Sequence, residues 1–103
     1  MVAEEEDFQR YLMNNPEFVE IAENAKYAGL LALLKGKGKY IHQIIAEYPT
    51  LTETEIHEVL DKLEKMNLIK KLELAQGYLY YQTKTGQEFT EYYQKAKGYF
   101  TLS

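Results

Sequence analysis

The chain has 103 residues, of which 46% are hydrophobic and only two are proline, so it can form one small ordered domain with a single core. It has no cysteine, which excludes a disulfide framework and a thiolate metal site. The formal net charge is −4, and the four acids at positions 4 to 7 account for it, since residues 8 to 103 hold twelve acids against twelve bases. A neutral domain neither demands nor excludes a polyanionic partner.

No part of the sequence resembles a membrane or export segment. The apolar stretches fall short of the ~20 residues that a membrane-spanning helix needs, and residues 4 to 7 are acidic where a secretion signal would be basic. We therefore expect a cytoplasmic protein that does not enter a membrane.

The first predicted helix spans residues 3 to 13. Phe8, Tyr11 and Leu12 recur at helical spacing, and the acidic first turn suits the positive end of a helix dipole. This helix belongs to an N-terminal extension, residues 1 to 26, that precedes the predicted core.

A long second helix is predicted from Asn15 to about Lys35. Asn15 suits the N-cap and Pro16 the first helical position. The stretch from residue 28 to residue 34 is apolar nearly all round, so it needs cover on more than one side. In so short a chain, this pattern suggests that a second copy supplies part of the cover.

Three lysines alternate with two glycines where this helix ends. Lys35, Lys37 and Lys39 precede a short helix whose free amides, together with the ammonium groups, can hold a DNA phosphate. The alternative is a solvated glycine-rich turn. No strand precedes the segment and its spacing is not that of a nucleotide-binding P-loop.

Two further helices follow with a tight turn between them. The first runs from Tyr40 to Tyr48 and is stopped by Pro49. Thr52 caps the next, and Glu55 can reach back to the cap amide in a capping box. This third helix of the predicted core has one apolar stripe, formed by Ile56, Val59, Leu60, Leu63 and Met66.

A two-stranded hairpin is predicted after the third helix. Asn67 can adopt the left-handed conformation that ends a helix, and the apolar period then changes to two. Residues 75 to 77 form the loop between the strands. The alternation predicts that the inner face consists of Leu72, Leu74, Leu79 and Tyr81.

The last predicted helix begins at Thr85, with Glu88 as its capping-box partner. An aromatic stripe at helical spacing runs along it, and its distal part is not needed for the predicted core. We therefore predict a two-fold homodimer built from the terminal helices. The candidate interface residues are Phe18, Leu30, Leu33, Tyr92, Tyr99 and Phe100.

The order of helix, short helix, tight turn, helix and hairpin resembles a winged helix-turn-helix. Residues 27 to 95 resemble small regulators of the PadR-like and MarR-like kind, including archaeal and archaeal-virus proteins. The residues that support the resemblance are Leu30, Leu31, Leu34, Ile41, Ile44, Ala46, Leu60, Leu63, Leu68, Ile69, Tyr80, Tyr81, Thr83 and Gly86.

The resemblance implies a mainly α fold with a small β-hairpin (α+β) in one domain, residues 1 to 103. Within it, residues 27 to 85 are the winged-helix core and residues 86 to 103 the C-terminal helix. The implied function is that of a non-enzymatic transcriptional regulator that binds double-stranded DNA as a homodimer, without a cofactor. Candidate DNA-binding residues are Lys35, Lys37, Lys39, Thr54, His57, Lys62, Lys70 and Lys71.

The third helix is acidic where a DNA-reading helix is more often basic or amide-bearing. Its exposed N-terminal half contains Glu53, Glu58 and Asp61. These acids either belong to a solvated face, stabilised by the helix dipole and by pairing with lysines four residues on, or dock a basic protein partner. A protein-binding winged helix that uses this face and the tyrosine-rich hairpin is therefore the alternative function.

The sequence gives no support for catalysis. His42 and His57 are the only histidines, and no glycine-rich nucleotide loop is present. A metal held by His57 and its acidic neighbours is much less favoured than a surface histidine among paired acids, so we expect no metal site.

Overall fold

The helices and strands were located in a computed structural model, which describes the backbone of residues 3–102 and the side chains of residues 6–96. Helices and a small antiparallel sheet make up this part of the chain. The elements are α1 (Ala3–Asn14), a 3₁₀ turn (Pro16–Phe18), α2 (Val19–Glu23), α3 (Ala25–Leu33), β1 (Lys39–Tyr40), α4 (Ile41–Glu47), α5 (Glu53–Lys65), β2 (Ile69–Leu74), β3 (Gly77–Gln82) and α6 (Lys84–Leu102).

The prediction of one long second helix from Asn15 to Lys35 is wrong, because the helix is interrupted at Asn24. Asn24 has an extended backbone, and its side chain accepts a hydrogen bond from the Lys26 amide at 3.2 Å, which makes it the N-cap of α3. Asn15 makes no capping bond; its Nδ2 donates to the Tyr11 carbonyl at 2.9 Å. Short polar side chains compete for backbone groups in this way and interrupt helices.

The limits of α5 are as predicted. Thr52 Oγ1 accepts from the Glu55 amide at 3.1 Å, and a Glu55 carboxylate oxygen accepts from the Thr52 amide at 3.0 Å. The bond from the Thr52 amide lowers the pKa of Glu55 below its ordinary value. At the other end Asn67 has a positive φ of 62°, the left-handed conformation expected after a helix.

The sheet has three strands in the order β1-β3-β2, so the predicted hairpin is extended by a strand that the sequence did not indicate. In β1, Lys39 lies opposite Tyr80 and Tyr40 opposite Leu79. The strand was missed because it is only two residues long and Tyr40 is also the N-cap of α4. Gly38 permits the close approach, since a Cβ there would lie 2.9 Å from the Tyr80 carbonyl oxygen.

The inner face predicted for the hairpin is wrong. Leu72 is 48% exposed, Leu74 39% and Tyr81 37%, whereas Tyr80 and Gln82 are almost fully buried. The alternation of buried and exposed residues along β2 is set where the strand begins, because Leu68 and Ile69 are both fully buried directly after the left-handed turn at Asn67. Ile69 lies opposite Gln82, so a period of two turns Leu72 and Leu74 away from the core. We call Ile69, Tyr80 and Gln82 the inner face, and Leu72, Leu74, Leu79 and Tyr81 the outer face.

The N-cap of α6 is Thr83 rather than the predicted Thr85. Thr83 Oγ1 accepts from the Gly86 amide at 3.0 Å and donates to the Asn67 carbonyl at 2.7 Å. The Thr83 amide donates to the Leu68 carbonyl at 3.0 Å, and a Cβ on the buried Gly86 would collide with that same oxygen. The end of α5 and the start of α6 are therefore held together through the backbone.

One copy of the chain covers most of the apolar surface that was expected to need a second copy. Leu30 is fully buried and Phe18 is 5% exposed, and Leu33 is partly buried against the same core. Tyr92 stacks on Tyr11 at 4.6 Å between ring centroids, within an aromatic cluster that joins α1 to α6. Phe18 and Leu30 therefore need no cover from a second copy, whereas Leu33 and Tyr92 keep some exposed surface. The candidates Tyr99 and Phe100 lie outside the described side chains.

Candidate nucleic-acid interface

The solvent-facing side of α5 is the first part of the candidate interface. Thr54 and His57 are exposed on it, as predicted from the helical period, and so are Glu58 and Asp61. The opposite side of the helix forms part of the core through its four buried residues. The helix therefore presents two candidate DNA contacts among acidic side chains.

Carboxylates of α5 also face the sheet. Burial raises the pKa of the Tyr80 hydroxyl above its ordinary value, and the nearby charges of Glu64 and Asp61 add to that shift. Lys71 of β2 approaches Glu64 at 4.0 Å and lies 4.9 Å from the centre of the Tyr78 ring. Negatively and positively charged side chains therefore both lie between α5 and the wing.

The structure does not bring the six candidate lysines into one patch. Lys35 Nζ donates to Gln94 Oε1 of α6 at 2.8 Å. Lys39 forms an ion pair at 3.0 Å with Glu47 of α4, and Lys62 one at 2.9 Å with Glu20 of α2. The hydrogen bond to Glu20 raises the pKa of Lys62. Each of these lysines therefore faces a different helix of the chain.

Lys37 and Lys70 remain unbonded among the described side chains and are both exposed. Lys37 lies in the loop before β1, and Lys70 lies on the edge strand β2, opposite Tyr81. Surface ion pairs contribute only ~0 to 1 kcal/mol, so the paired lysines can exchange a carboxylate for a phosphate at low cost. Of the six candidate lysines, these two therefore have no described bond to give up.

The wing tip is short and attached to the neighbouring strand. Tyr40 of β1 donates its hydroxyl hydrogen to Gln76 Oε1 at 2.8 Å. Gly77 has a φ of +120°, a backbone conformation that a residue with a side chain would adopt only with strain. The tip therefore has a defined position but offers no charge of its own.

Sequence reasoning missed the outer face of the wing as an exposed apolar surface. Leu72 and Leu74 were expected to be buried because they alternate with charged residues, which is the usual sign of a half-buried strand. The pair of apolar residues immediately before them, Leu68 and Ile69, was the signal that set the opposite alternation. Sequence reasoning also missed Gln82, which is buried and bonded to α3 and α6.

Among the described residues, no group of three or more His, Cys, Asp or Glu side chains is arranged to hold a metal ion. In the same part of the chain, no helix is long and apolar enough to cross a bilayer.

Solved structures share this arrangement. The reduced form of the transcriptional regulator YodB from B. subtilis superimposes with a TM-score of 0.74 over 82% of this chain and 85% of that chain, at 15% identity. A PadR family transcription regulator from Clostridium difficile R20291 gives 0.67 over 77% and 93%, at 20% identity. The reduced form of MarR from E. coli gives 0.68 over 92% and 68%, at 15% identity.

The sequence itself matches no protein-family model and no curated protein. At identities of 20% or less, the structural similarities establish the fold alone: the chain has the winged helix-turn-helix fold. The predicted fold class and the predicted resemblance to PadR-like and MarR-like proteins are confirmed.

Proposed function

We propose that this protein is a non-enzymatic transcriptional regulator that binds double-stranded DNA as a homodimer. The observation that supports this most directly is the position of the exposed side of α5 beside a wing with a defined tip, in a chain whose structural neighbours are named as transcriptional regulators. In such proteins the second helix of the helix-turn-helix enters the major groove. Here that helix is α5.

DNA contacts in this proposal divide by role. Thr54 and His57 on α5 face the bases, and Lys37 and Lys70 bind phosphates. Lys35, Lys39, Lys62 and Lys71 join them when they exchange their present partners. Glu58 and Asp61 reduce the affinity because they lie toward the same polyanion.

The homodimer is proposed to form through the terminal helices. α6 runs from Lys84 to Leu102, and its aromatic stripe continues in sequence to Tyr99 and Phe100 beyond the part packed on α1. Among the described side chains, Leu33 and Tyr92 are the candidates that keep some exposed surface. A two-fold axis through these helices would present two copies of α5 to successive half-sites.

Fluorescence anisotropy with a random-sequence duplex at ~50 mM and ~200 mM salt tests the DNA contact. The variant with Lys37→Ala and Lys70→Ala should bind every duplex more weakly and lower the salt slope by about one for each lost phosphate contact. Lys95→Ala, an exposed lysine of α6, is the matched control and should leave the slope unchanged. Absence of binding by the parent protein even at ~50 mM salt would contradict the proposal.

A second candidate function is protein binding, favoured by the acidity of the exposed side of α5 and by the uncovered outer face of the wing. The variant with Glu58→Gln and Asp61→Asn separates the two. It should bind DNA more tightly if α5 lies against phosphates, and it should lose a basic protein partner if the acids form the docking surface. Light scattering, which should give twice the chain mass, tests the homodimer independently of either outcome.

A further inference from the structure

Strand β2 forms one edge of the sheet and has a single strand neighbour, β3. In an antiparallel sheet, every second residue of an edge strand directs its N–H and C=O groups away from that neighbour. Among the described residues, the backbone of residues 70–74 makes no backbone hydrogen bond outside the sheet. The outer face beside this edge is uncovered, with Leu72 48% and Leu74 39% exposed. The edge therefore offers free backbone groups and apolar side chains to a further strand.

The charged residues of β2 alternate with its leucines. Lys71 and Glu73 flank Leu72. Both project to the inner side of the sheet, because Lys71 lies opposite the buried Tyr80 and side chains alternate along a strand. Glu73 forms no ion pair with a described residue, and Lys71 forms only the long one to Glu64 at 4.0 Å. A lysine on an edge strand usually opposes pairing with a further strand, but an acid on that strand can neutralise this effect.

A second copy of β2 matches this pattern when the two strands run antiparallel about a two-fold axis at Leu72. Lys71 of each copy then lies opposite the partner's Glu73, and the two Leu72 side chains lie opposite each other. Moving the axis by one residue places Lys71 opposite Lys71, or Glu73 opposite Glu73, and like charges at directly opposite positions are destabilising. The charges therefore select one register.

We propose that β2 is a docking strand for a second copy of this chain, joined edge to edge in this register. The two outer faces then meet at Leu72, and Leu74 lies beside the aliphatic stem of the partner's Lys70. The axis is perpendicular to the sheet, so the inner faces of both copies lie on the same side of a continuous sheet. β1, at the far edge, is only two residues long, so the joined sheet ends there and the assembly is closed.

This contact is separate from the terminal helices. It consists of one strand edge and a few side chains, so the association is weak and adds little to the free energy of unfolding of dilute protein. It does not rest on the proposed function, because the pairing needs no DNA. In a protein that is already dimeric through its terminal helices, the contact joins two dimers.

A single introduced cysteine reports on the axis, because the chain has no cysteine of its own. Leu72→Cys should form a disulfide between copies during air oxidation at ~0.2 mM protein, since directly opposite Cβ atoms lie ~4.5 to 5.5 Å apart. Leu74→Cys, on the same exposed face, is the matched control. Its two copies lie ~14 Å apart along the strands, so it should cross-link at about a tenth of the rate. Non-reducing electrophoresis of timed samples measures both rates.

Charge reversal tests the register. In the Leu72→Cys background, Lys71→Glu and Glu73→Lys each place like charges opposite one another, so each variant should cross-link with itself about tenfold more slowly. An equimolar mixture restores both opposite-charge pairs. The disulfide should then form mainly between the two different variants, which mass spectrometry distinguishes. The matched control pair, Lys95→Glu and Glu91→Lys, has the same reversals at exposed positions of α6 and should cross-link without preference.

Restoration by mixing distinguishes strand pairing from a loss of folding, because a chain that Lys71→Glu merely destabilises is not restored by another variant. If the mixture shows no preference for the mixed disulfide, β2 does not pair in this register and the proposal is wrong. Equal cross-linking rates at positions 72 and 74 would overturn it as well, since they indicate random collision rather than a defined axis.

Discussion

The two faces of the wing sheet differ in a way that hydrophobicity does not predict. The inner face buries a tyrosine and a glutamine, Tyr80 and Gln82, whereas the outer face leaves Leu72, Leu74 and Tyr81 partly exposed. The Gln82 amide group is tolerated inside because its Nε2 donates to the Leu31 carbonyl and to Thr90 Oγ1. The comparison shows that the alternation of a strand is decided where the chain enters the sheet, and that hydrophobic side chains further along must follow.

Removing one tyrosine from each face gives the largest contrast. Tyr80→Ala should lower the free energy of unfolding by ~3 to 5 kcal/mol, because the ring is 3% exposed and packed in the core. Tyr81→Ala, at the next position, should cost less than ~1 kcal/mol. Urea unfolding of both variants is the measurement. If the Tyr81 variant is the less stable of the two, the strand is shifted by one residue relative to the core.

The backbone junction between the end of α5 and the start of α6, which fixes the alternation of buried and exposed residues in the sheet, can be tested at Gly86. Gly86→Ala places a methyl group against the Leu68 carbonyl oxygen, which also accepts from the Thr83 amide. Backbone atoms cannot move aside easily, so we expect a loss of about 3 kcal/mol. Thr85→Ala, one residue earlier on the same turn, is the control and should cost less than ~1 kcal/mol. A neutral Gly86 variant would show that this junction does not hold the sheet.

What could be predicted from the sequence depended on local interactions. The capping box of Thr52 and Glu55 and the left-handed Asn67 lie within three residues of the helix ends they determine, and both are present. The break at Asn24 was missed because Asn15 and Asn24 offer the same side chain, and only packing selects between them. The alternation of the wing was missed because it depends on where Leu68 and Ile69 enter the core.

The charges of the candidate interface show the same limit. Exposure of Thr54 and His57 follows from the helical period and was predictable. The partners of the lysines were not, because Lys62 pairs with a residue 42 positions earlier and Lys35 bonds to one 59 positions later. Sequence spacing gives the number of cations in a segment, but the tertiary structure decides how many of them remain free.

A buried tyrosine outside the sheet extends the comparison to pH. Burial, with Glu88 nearby, raises the pKa of Tyr11 from 10.0 to about 12, and its hydroxyl has no partner in the described structure. The folded state thus disfavours the phenolate form of Tyr11. The contribution of this residue to the free energy of unfolding is therefore complete below pH 10 and is lost as the pH rises from 10 through 12. We expect a loss of about 2 kcal/mol across that interval from this residue.

The matched variants for this pH effect are Tyr11→Phe and Tyr81→Phe. Tyr11→Phe should be as stable as the parent or more stable at pH 8, because it removes an unsatisfied buried hydroxyl, and it should lose less stability at pH 11.5. Tyr81→Phe, on the outer face, should follow the parent at both pH values. Urea unfolding at the two pH values provides the comparison, and equal alkaline losses for all three proteins would refute the assignment to Tyr11.

The smallest effect is expected on the outer face itself. Leu72→Thr keeps a residue with high strand propensity at a position that is 48% exposed, so stability should change by less than ~0.5 kcal/mol. Ile69→Thr, on the same strand but fully buried, should cost ~2 kcal/mol or more because it places a hydroxyl group in the core. Calorimetric unfolding of the two variants tests the division of β2 between core and solvent. If Leu72→Thr destabilises the protein as much as Ile69→Thr does, the outer face is covered in solution, and the homodimer would then have to be sought on the wing rather than on the terminal helices.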